Sequence, residues 1–257
     1  MSAPVNICAI PIRGLPEVRP APQAADYLAE LFLKALAKRK ERFRAGDILV
    51  VKHKIVAKAE GRMVRLASVK PSTPARRWAR QWRHDSRLIE LALREATRVV
   101  RAGHGVLITE TRHGLVCANS GVDLSNVDGG SSAVLLPEDP DASARQLHSA
   151  LKRRLKLHVP VIVADSFGRA WREGLTEAAI GAAGLRLLHD LRGRRDPFGY
   201  KLHATSEAVA DELACLAGLA CGKLQRTPAC IIRGFRYQRG NDSAAKLVRE
   251  RERDLFR

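Results

Sequence analysis

Amphipathic helical segments and short apolar runs alternate along this chain, and this alternation limits the possible folds more than any other feature of the sequence. Apolar side chains recur near a period of 3.6 residues over 141–157. The apolar run 159–164 follows, and the polar stretch 165–169 comes next. We predict a helix, a strand and a loop for these three segments, and another short strand at 47–51. The pattern predicts one mixed α/β or α+β fold, with a carboxylate at the carboxyl end of a strand.

The remaining segments are interpreted from the same periodicities. Further helices are predicted at 26–45, about 76–98 and 205–221, and further strands at 106–109, 115–117 and 231–232. Thr205 or Ser206 would cap the last of these helices, and a basic helix is expected to close the chain. The stretch 119–132 is rich in Gly, Asn, Asp and Ser. Because these residues tolerate positive φ, we predict a long loop that brings backbone close to a ligand.

Composition excludes several classes of protein. Hydrophobic residues make up 46% of the chain, which is enough for a real core. No apolar run approaches the roughly 20 residues of a transmembrane helix. Residues 1–6 carry neither the basic nor the long apolar segment of a secretion signal, and the cysteines and histidines are scattered. We therefore predict a cytoplasmic protein that does not enter a membrane, with reduced thiols and no zinc site.

The formal net charge of +18 at pH 7 favours anionic partners. It does not choose between nucleic acid, nucleotides and small polyanions. Its densest segment is 76–83, where arginines flank Trp78 and Trp82. Two interpretations are open: a stacking surface for a single strand, or a buried stripe beneath solvated arginines. The i, i+4 spacing of the tryptophans favours the buried stripe, so we expect nucleic-acid binding to be only non-specific.

Two aspartates and two lysines are candidates for phosphate and metal chemistry. Asp123 and Asp165 follow extended segments and have oxygen-bearing neighbours, which suits Mg²⁺ or Mn²⁺ on nucleotide phosphates, but loop aspartates also form turns. Lys54 and Lys58 would either clamp a phosphate or form a solvated helix face. The stretch 218–223 is one residue short of a P-loop and ends a predicted helix, so a Walker-type loop is excluded.

Ordered blocks from about residue 6 to the end of the chain carry a family resemblance. They include CANSGVD at 117–123, LPEDPDASA at 136–144 and DSFGR at 165–169, together with residues 11–17, 46–51, 54–62, 110–114 and 254–256. In these blocks the sequence resembles the coenzyme F420:gamma-glutamyl ligase family.

The resemblance implies both a fold and a reaction. It implies an intertwined α/β fold specific to the family and a homodimer, with residues 1–257 forming a single unit and no C-terminal nitroreductase-like domain. It implies GTP-dependent addition of L-glutamate to the deazaflavin precursor F420-0, with a divalent cation (Mg²⁺ or Mn²⁺) and K⁺. The alternatives are a related ligase for another acidic acceptor, and a basic nucleic-acid-associated protein that has lost catalysis.

The resemblance also implies site residues, although it assigns no general base. The metal would be held by Asp123, Asp165 and Ser166, where Ser166 replaces the threonine usual in the family. Some relatives carry an amide at a metal site where this chain has Lys223, and a cation there would repel a metal ion. The nucleotide would contact residues in the stretch 221–228 and elsewhere: Gly14, Leu15, Pro16, Glu17, His53, Lys54, Lys58, Asn126, Cys221, Gly222 and Lys223.

Overall fold

The computed structural model describes residues 6–255 as a mixed α/β protein. In chain order the strands and helices are β1 (Cys8–Pro11), α1 (Ala24–Lys38), β2 (Ile48–Lys52), α2 (His53–Ala59), β3 (Met63–Arg65), α3 (Thr73–Trp82), α4 (Ser86–Glu95), β4 (Ala96–Gly103), β5 (Val106–Thr111), β6 (Val116–Ala118), β7 (Ser132–Val134), α5 (Pro140–Leu155), β8 (Val161–Arg169), β9 (Arg172–Ala183), β10 (His189–Asp190), β11 (Ser206–Glu207), α6 (Val209–Cys221) and β12 (Ala229–Arg233).

A five-stranded sheet with helices on both faces forms the centre of the fold. Its strand order is β1-β12-β2-β8-β9; β2 and β8 are parallel and the other pairs are antiparallel. Leu49 and Val51 of β2 pack with α1, α2 and α5, whereas Ile48 and Val50 pack with α6. Because side chains alternate across a strand, an all-apolar run such as β2 is what a strand covered on both faces requires. The mixed α/β prediction is therefore confirmed.

The predicted helix over 76–98 is wrong, because the segment contains two helices and a strand. Arg83 ends α3 in the left-handed conformation, with φ of 55°. Asp85 then caps α4, its Oδ1 accepting from the Arg87 amide at 2.8 Å. From Ala96 onward the chain forms β4 and pairs with β5. The β-branched residues of 97–100 suit this strand better than a fourth helical turn.

The predicted loop at 165–169 is also wrong. These residues continue β8, which pairs along its whole length with β9 and turns at Trp171, a residue with φ of 56°. Antiparallel pairing satisfies the backbone groups of a polar segment as well as those of an apolar one. Asp165 therefore lies within a long hairpin strand and not in a loop.

Two further differences concern the last third of the chain. Neither Thr205 nor Ser206 caps α6: Ser206 pairs in β11 with β10, and α6 begins at Val209 without a side-chain cap. The predicted closing helix is replaced by two short 3₁₀ turns, Ala244–Leu247 and Arg251–Arg253. Arginines and acidic residues alternate over 249–254, and a helix that is polar all round has no face to bury.

Other predictions hold within the described residues. The helices α1 and α5 and the strands β2, β5, β6 and β12 lie close to their predicted positions, and 119–132 is a loop with two 3₁₀ turns. No helix in residues 6–255 is long and apolar enough to cross a membrane. The prediction about a secretion signal concerns residues 1–6, of which 1–5 lie outside the described residues. Phe256 of the terminal 254–256 block also lies outside them.

Candidate functional site

The helix α2 starts directly at the end of the buried strand β2 and carries the first pair of predicted site residues. One turn separates Lys54 from Lys58, so both side chains lie on the same face of α2. Lys54 Nζ donates to Asp123 Oδ2 at 2.7 Å, to the Ser125 hydroxyl at 2.6 Å and to the Ser125 carbonyl at 3.0 Å. Lys54 therefore ties the 119–132 loop to the carboxyl edge of the central sheet.

Lys58 joins three further predicted segments. Its Nζ donates to Glu17 Oε1 at 2.5 Å and to the carbonyl of Asn126 at 2.9 Å. On the other side of Glu17, Arg226 Nη2 lies 3.7 Å from Oε2. Since Lys58 is only 7% exposed, the alternative of a solvated helix face is wrong for this residue. A buried ammonium persists only where partners satisfy its charge, and both partners here were predicted to contact the nucleotide.

The glycines and Cys221 in the predicted nucleotide set play backbone and core roles. Gly14 has φ of +77°, with open space where a side chain would be, and Pro16 beside it is exposed. Leu15 is half-buried against the core. The Cys221 thiol is buried and donates weakly to the Ala229 carbonyl at 3.6 Å, so its side chain belongs to the core. Gly222 follows α6 with φ of +65°.

Asp165 lies beside His53 and is hydrogen-bonded within its own strand. His53 is 2% exposed, and its Nε2 lies 3.2 Å from Asp165 Oδ1. The Ser166 amide donates to the same oxygen at 2.7 Å. The His53 ring is therefore buried beside Asp165, and a nucleotide contact through that ring remains a prediction.

The electrostatics of the site keep Asp123 and Asp165 ionised. Burial opposes ionisation of Asp123, but hydrogen bonds from Lys54 and Ser125 outweigh it and lower its pKa. Burial also opposes ionisation of Asp165, and the neighbouring His53 together with the Ser166 amide lowers its pKa. Two ionised carboxylates are the donor set that a hard divalent cation such as Mg²⁺ or Mn²⁺ uses together with nucleotide phosphates. Their charge suits such an ion, which would share the Asp123 carboxylate with the Lys54 ammonium.

Ser166 does not fit the metal role that the resemblance implies. Its hydroxyl donates to Glu177 Oε1 at 2.8 Å and is also in contact with the Lys223 ammonium. Lys223 Nζ lies 3.2 Å from the same Glu177 oxygen. In residues 6–255 no cluster of three or more His, Cys, Asp or Glu side chains is placed to hold a metal ion. An ion at Asp123 and Asp165 would therefore complete its shell with phosphate or water oxygens.

Lys52 and Glu177 belong to this site and were missed by sequence analysis. Glu177 is 7% exposed and forms an ion pair with Lys52, the last residue of β2. Burial opposes ionisation of Glu177, and the hydrogen bond from Lys52 contributes most to lowering its pKa. The available signal was a single charge at the edge of an apolar run, at 48–52 for the lysine and at 177–183 for the glutamate.

Two cavities differ in their position relative to the candidate site. A cavity of about 250 Å³ lies beside Asp123 and is lined by Trp78, His84, Leu88 and Val122 among others. The larger cavity of about 820 Å³ lies at the start of α1 and α5 and contains none of the predicted site residues. Of these two cavities, the smaller one borders the candidate site.

Comparisons with known proteins identify the family of this chain. A family model described as F420-0:Gamma-glutamyl ligase matches residues 16–234, which include every predicted site residue except Gly14 and Leu15. A protein of Methanothermobacter thermautotrophicus named Coenzyme F420:L-glutamate ligase is 41% identical over 256 residues, covering 98% of this chain and 100% of its own length. Proteins with the same name from Methanopyrus kandleri and Methanocaldococcus jannaschii are 41% and 38% identical, covering 95% and 82% of this chain and 99% and 85% of their own length.

Proposed function

The chain belongs to the F420-0:gamma-glutamyl ligase family, and from this premise we propose that it adds L-glutamate to F420-0 with GTP as the energy source. It is a ligase of coenzyme F420 biosynthesis. The nucleotide, the intermediate and the metal are the parts of the proposal that go beyond this family membership.

The observation that carries the proposal is the pair of lysines on α2. Lys54 binds the loop that carries Asp123, and Lys58 binds Glu17 and the Asn126 carbonyl. Segments far apart in sequence therefore meet at two ammonium groups. The Lys54 ammonium is paired with the Asp123 carboxylate and the Lys58 ammonium with the Glu17 carboxylate. Cations offset the charge of nucleotide phosphates, and carboxylates hold the divalent ion that accompanies them. Phosphoryl transfer from a nucleotide requires ammonium and carboxylate groups of this kind.

The proposed reaction proceeds in two steps. A carboxylate oxygen of F420-0 attacks the γ-phosphorus of GTP, the bond to the β-phosphate oxygen breaks, and GDP leaves. The amine of glutamate then attacks the carbonyl carbon of the acyl phosphate, loses a proton and displaces inorganic phosphate. Activation is needed because a free carboxylate is a poor electrophile. The positive charges of Lys54 and Lys58 stabilise the phosphate charge that shifts during the first step.

In this proposal Asp123 and Asp165 hold a divalent cation, Mg²⁺ or Mn²⁺. When bound, the ion neutralises phosphate charge. A requirement for K⁺ is part of the same proposal, and no ligand set in residues 6–255 is assigned to it.

We also propose a homodimer. The small sheet formed by β4, β5 and β6 exposes Val106 and Val116, which the register places on one face and which are 45% and 38% accessible. Exposed valines on one small sheet support burial against a second copy. Size-exclusion chromatography coupled to light scattering would show about twice the 28.3 kDa chain mass; a monomer at micromolar concentration would contradict the dimer.

The decisive test is product formation. Purified protein is incubated with F420-0, L-glutamate, GTP and Mg²⁺ or Mn²⁺, and mass spectrometry is expected to detect one or more added glutamate residues together with GDP. Reactions without glutamate are the control, and acyl-phosphate formation is followed there by trapping with hydroxylamine. If GTP binds but F420-0 gains no glutamate, a related ligase for another acidic acceptor takes the place of this proposal. If GTP does not bind at all, a nucleotide-dependent ligase is contradicted.

A further inference from the structure

Lys223 lies where two oxygen groups would otherwise be open to a cation. Ser166 and Glu177 face each other in the register of β8 and β9, and the Ser166 hydroxyl donates to Glu177 Oε1. A hydroxyl and a carboxylate are hard oxygen donors of the kind that bind Mg²⁺ or Mn²⁺. The Lys223 ammonium contacts both groups. A positive charge from the chain itself thus lies on these oxygens.

The local fold brings Lys223 to this position. The helix α6 ends at Cys221, and Gly222 turns the chain with φ of +65°. With ψ of −178° as well, Gly222 has a conformation that is essentially restricted to glycine, so the turn favours this residue. The Lys223 side chain is 58% exposed, whereas that of Glu177 is 7% exposed. The ammonium therefore covers a buried carboxylate from the solvent side.

Glu177 has a second cation beneath it. Lys52 forms an ion pair with the same carboxylate, and its side chain is only 19% exposed. Two ammonium groups already offset the single negative charge of Glu177. A divalent cation added at Ser166 and Glu177 would meet two positive neighbours within a few ångströms, and this repulsion is strong at the edge of a protein interior.

We propose that the Lys223 ammonium replaces one metal ion of this ligase. The ammonium is a compact point charge with three donors, so it provides a fixed positive charge at Ser166 and Glu177 and excludes a divalent ion from the same place. Asp123 and Asp165 then hold a single divalent ion. The inference rests on the proposed function only in assuming that a nucleotide and a divalent ion bind together.

Counting bound Mn²⁺ tests this without any turnover. Mn²⁺ is titrated into the full-length protein with saturating GDP, and free Mn²⁺ is measured by electron paramagnetic resonance. We expect one bound ion per chain for the wild type. Lys223→Gln removes the charge and offers an amide oxygen, so we expect two bound ions. Lys246→Gln, which changes an exposed lysine paired with Asp242, is the matched control and should bind one.

The outcomes separate this inference from the proposed function. Two ions on the wild type, or one ion on a Lys223→Gln protein that keeps the wild-type circular dichroism spectrum, would overturn the inference. Lys223→Asn replaces Lys223→Gln if the latter does not fold, with the same expected stoichiometry. Failure of the wild type to bind any Mn²⁺ with GDP would contradict the metal-dependent ligase itself and this inference with it.

Discussion

At the candidate site, single charged residues are buried far more than charged residues normally are. Lys58 and Glu177 are each 7% exposed and each has a partner of opposite charge. An ion left unpaired in such a place costs several kcal/mol, so removing one partner is more disruptive than either residue's exposure suggests. The pairs also fix the lysines and carboxylates before any ligand arrives, which is the preorganisation that electrostatic catalysis needs.

The first prediction concerns Asp123 and Asp165. Asp123→Asn and Asp165→Asn keep the shape of each side chain and remove an anionic ligand, so ligase turnover should fall by about 100-fold or more. Both site variants should remain folded at the assay temperature, and the exposed substitution Asp190→Asn should leave turnover unchanged. Turnover and melting curves are measured on the same preparations. Near-normal turnover in both site variants would remove these aspartates from the metal site.

The second prediction concerns the pH dependence of stability at Glu60. Burial raises the pKa of Glu60 above its ordinary 4.5, against the hydrogen bond from Ser143 and the charge of Arg62. The unfolded chain therefore loses this proton at lower pH than the folded protein. As pH rises from about 4.5 through the folded pKa, Glu60 makes the free energy of unfolding smaller, and the loss persists at neutral pH.

Glu60→Gln keeps an oxygen that accepts from Ser143, whose hydroxyl lies 2.5 Å from Glu60 Oε1. We expect the variant to gain stability relative to the wild type as pH rises above 4.5, measured by urea unfolding at several pH values. The exposed substitution Glu212→Gln is the control. Parallel stability curves for Glu60→Gln and the wild type would show that the carboxyl of Glu60 is not destabilised by burial.

At the scale of elements, β9 of the hairpin packs closely against the first turn of α5. Gly181 lies against Pro140, and a Cβ atom there would overlap the Pro140 backbone. Beside it, Asp141 Oδ1 accepts from the Ala182 amide at 2.8 Å. The first turn of α5 is thus attached to the strand that carries Glu177. This close approach explains a glycine within an otherwise well-packed strand.

The third prediction follows from that contact. Gly181→Ala should lower the free energy of unfolding by about 1–3 kcal/mol, because backbone atoms cannot move aside as a side chain could. Gly168→Ala is the matched control: it lies in β8 with nothing within 4 Å of its Cβ position, and it should change stability by less than about 0.5 kcal/mol. Both are measured by chemical denaturation. Equal stability of the two variants would contradict the close contact.

The same elements explain how much could be predicted from sequence. Apolar periodicity predicted β2, α5 and β12, because the spacing of apolar residues along the sequence indicates which face of a helix or strand is buried. The hairpin was missed because strand pairing of the polar segment 165–169 depends on β9, which lies elsewhere in the sequence. Without that hairpin, Glu177 could not be placed opposite Ser166, nor Lys52 beneath it. Short motifs predicted Asp123, Asp165, Lys54 and Lys58. Such motifs are contiguous in sequence, so they can be recognised without knowing which strands pair.

At the scale of the whole molecule, the charge of +18 is the property that the site does not explain. Its densest group, Arg76, Arg77, Arg80 and Arg83, is exposed along α3 and its end. A basic surface binds any polyanion by releasing counterions, so binding to nucleic acid at low salt is expected whether or not it has a function. The salt dependence and the sequence preference of that binding therefore carry the information.

The fourth prediction separates a ligase with a basic surface from a nucleic-acid-binding protein. Changing the four arginines to glutamine should weaken single-strand binding equally for all sequences and reduce the salt slope by about 0.7 for each phosphate that an arginine no longer neutralises. Ligase turnover should be unchanged, because none of the four belongs to the candidate site. Fluorescence anisotropy over a salt series and product formation are the two measurements. A sequence preference that survives at high salt would contradict the non-specific interpretation.

The tryptophans of the same helix decide the remaining alternative. Trp78 is half-buried, and its Nε1 atom is buried. The ring centroid of Trp78 lies 5.4 Å from that of His84, and the ring centroid of Trp82 lies 6.3 Å from that of His104. These rings pack within the protein, so changing both to alanine should lower the melting temperature. A stacking platform would instead lose about 1–3 kcal/mol of single-strand affinity per stacked base while the melting temperature stayed the same. That second pattern, with binding that resists salt, would favour the nucleic-acid-binding protein over the ligase as an explanation of the basic surface.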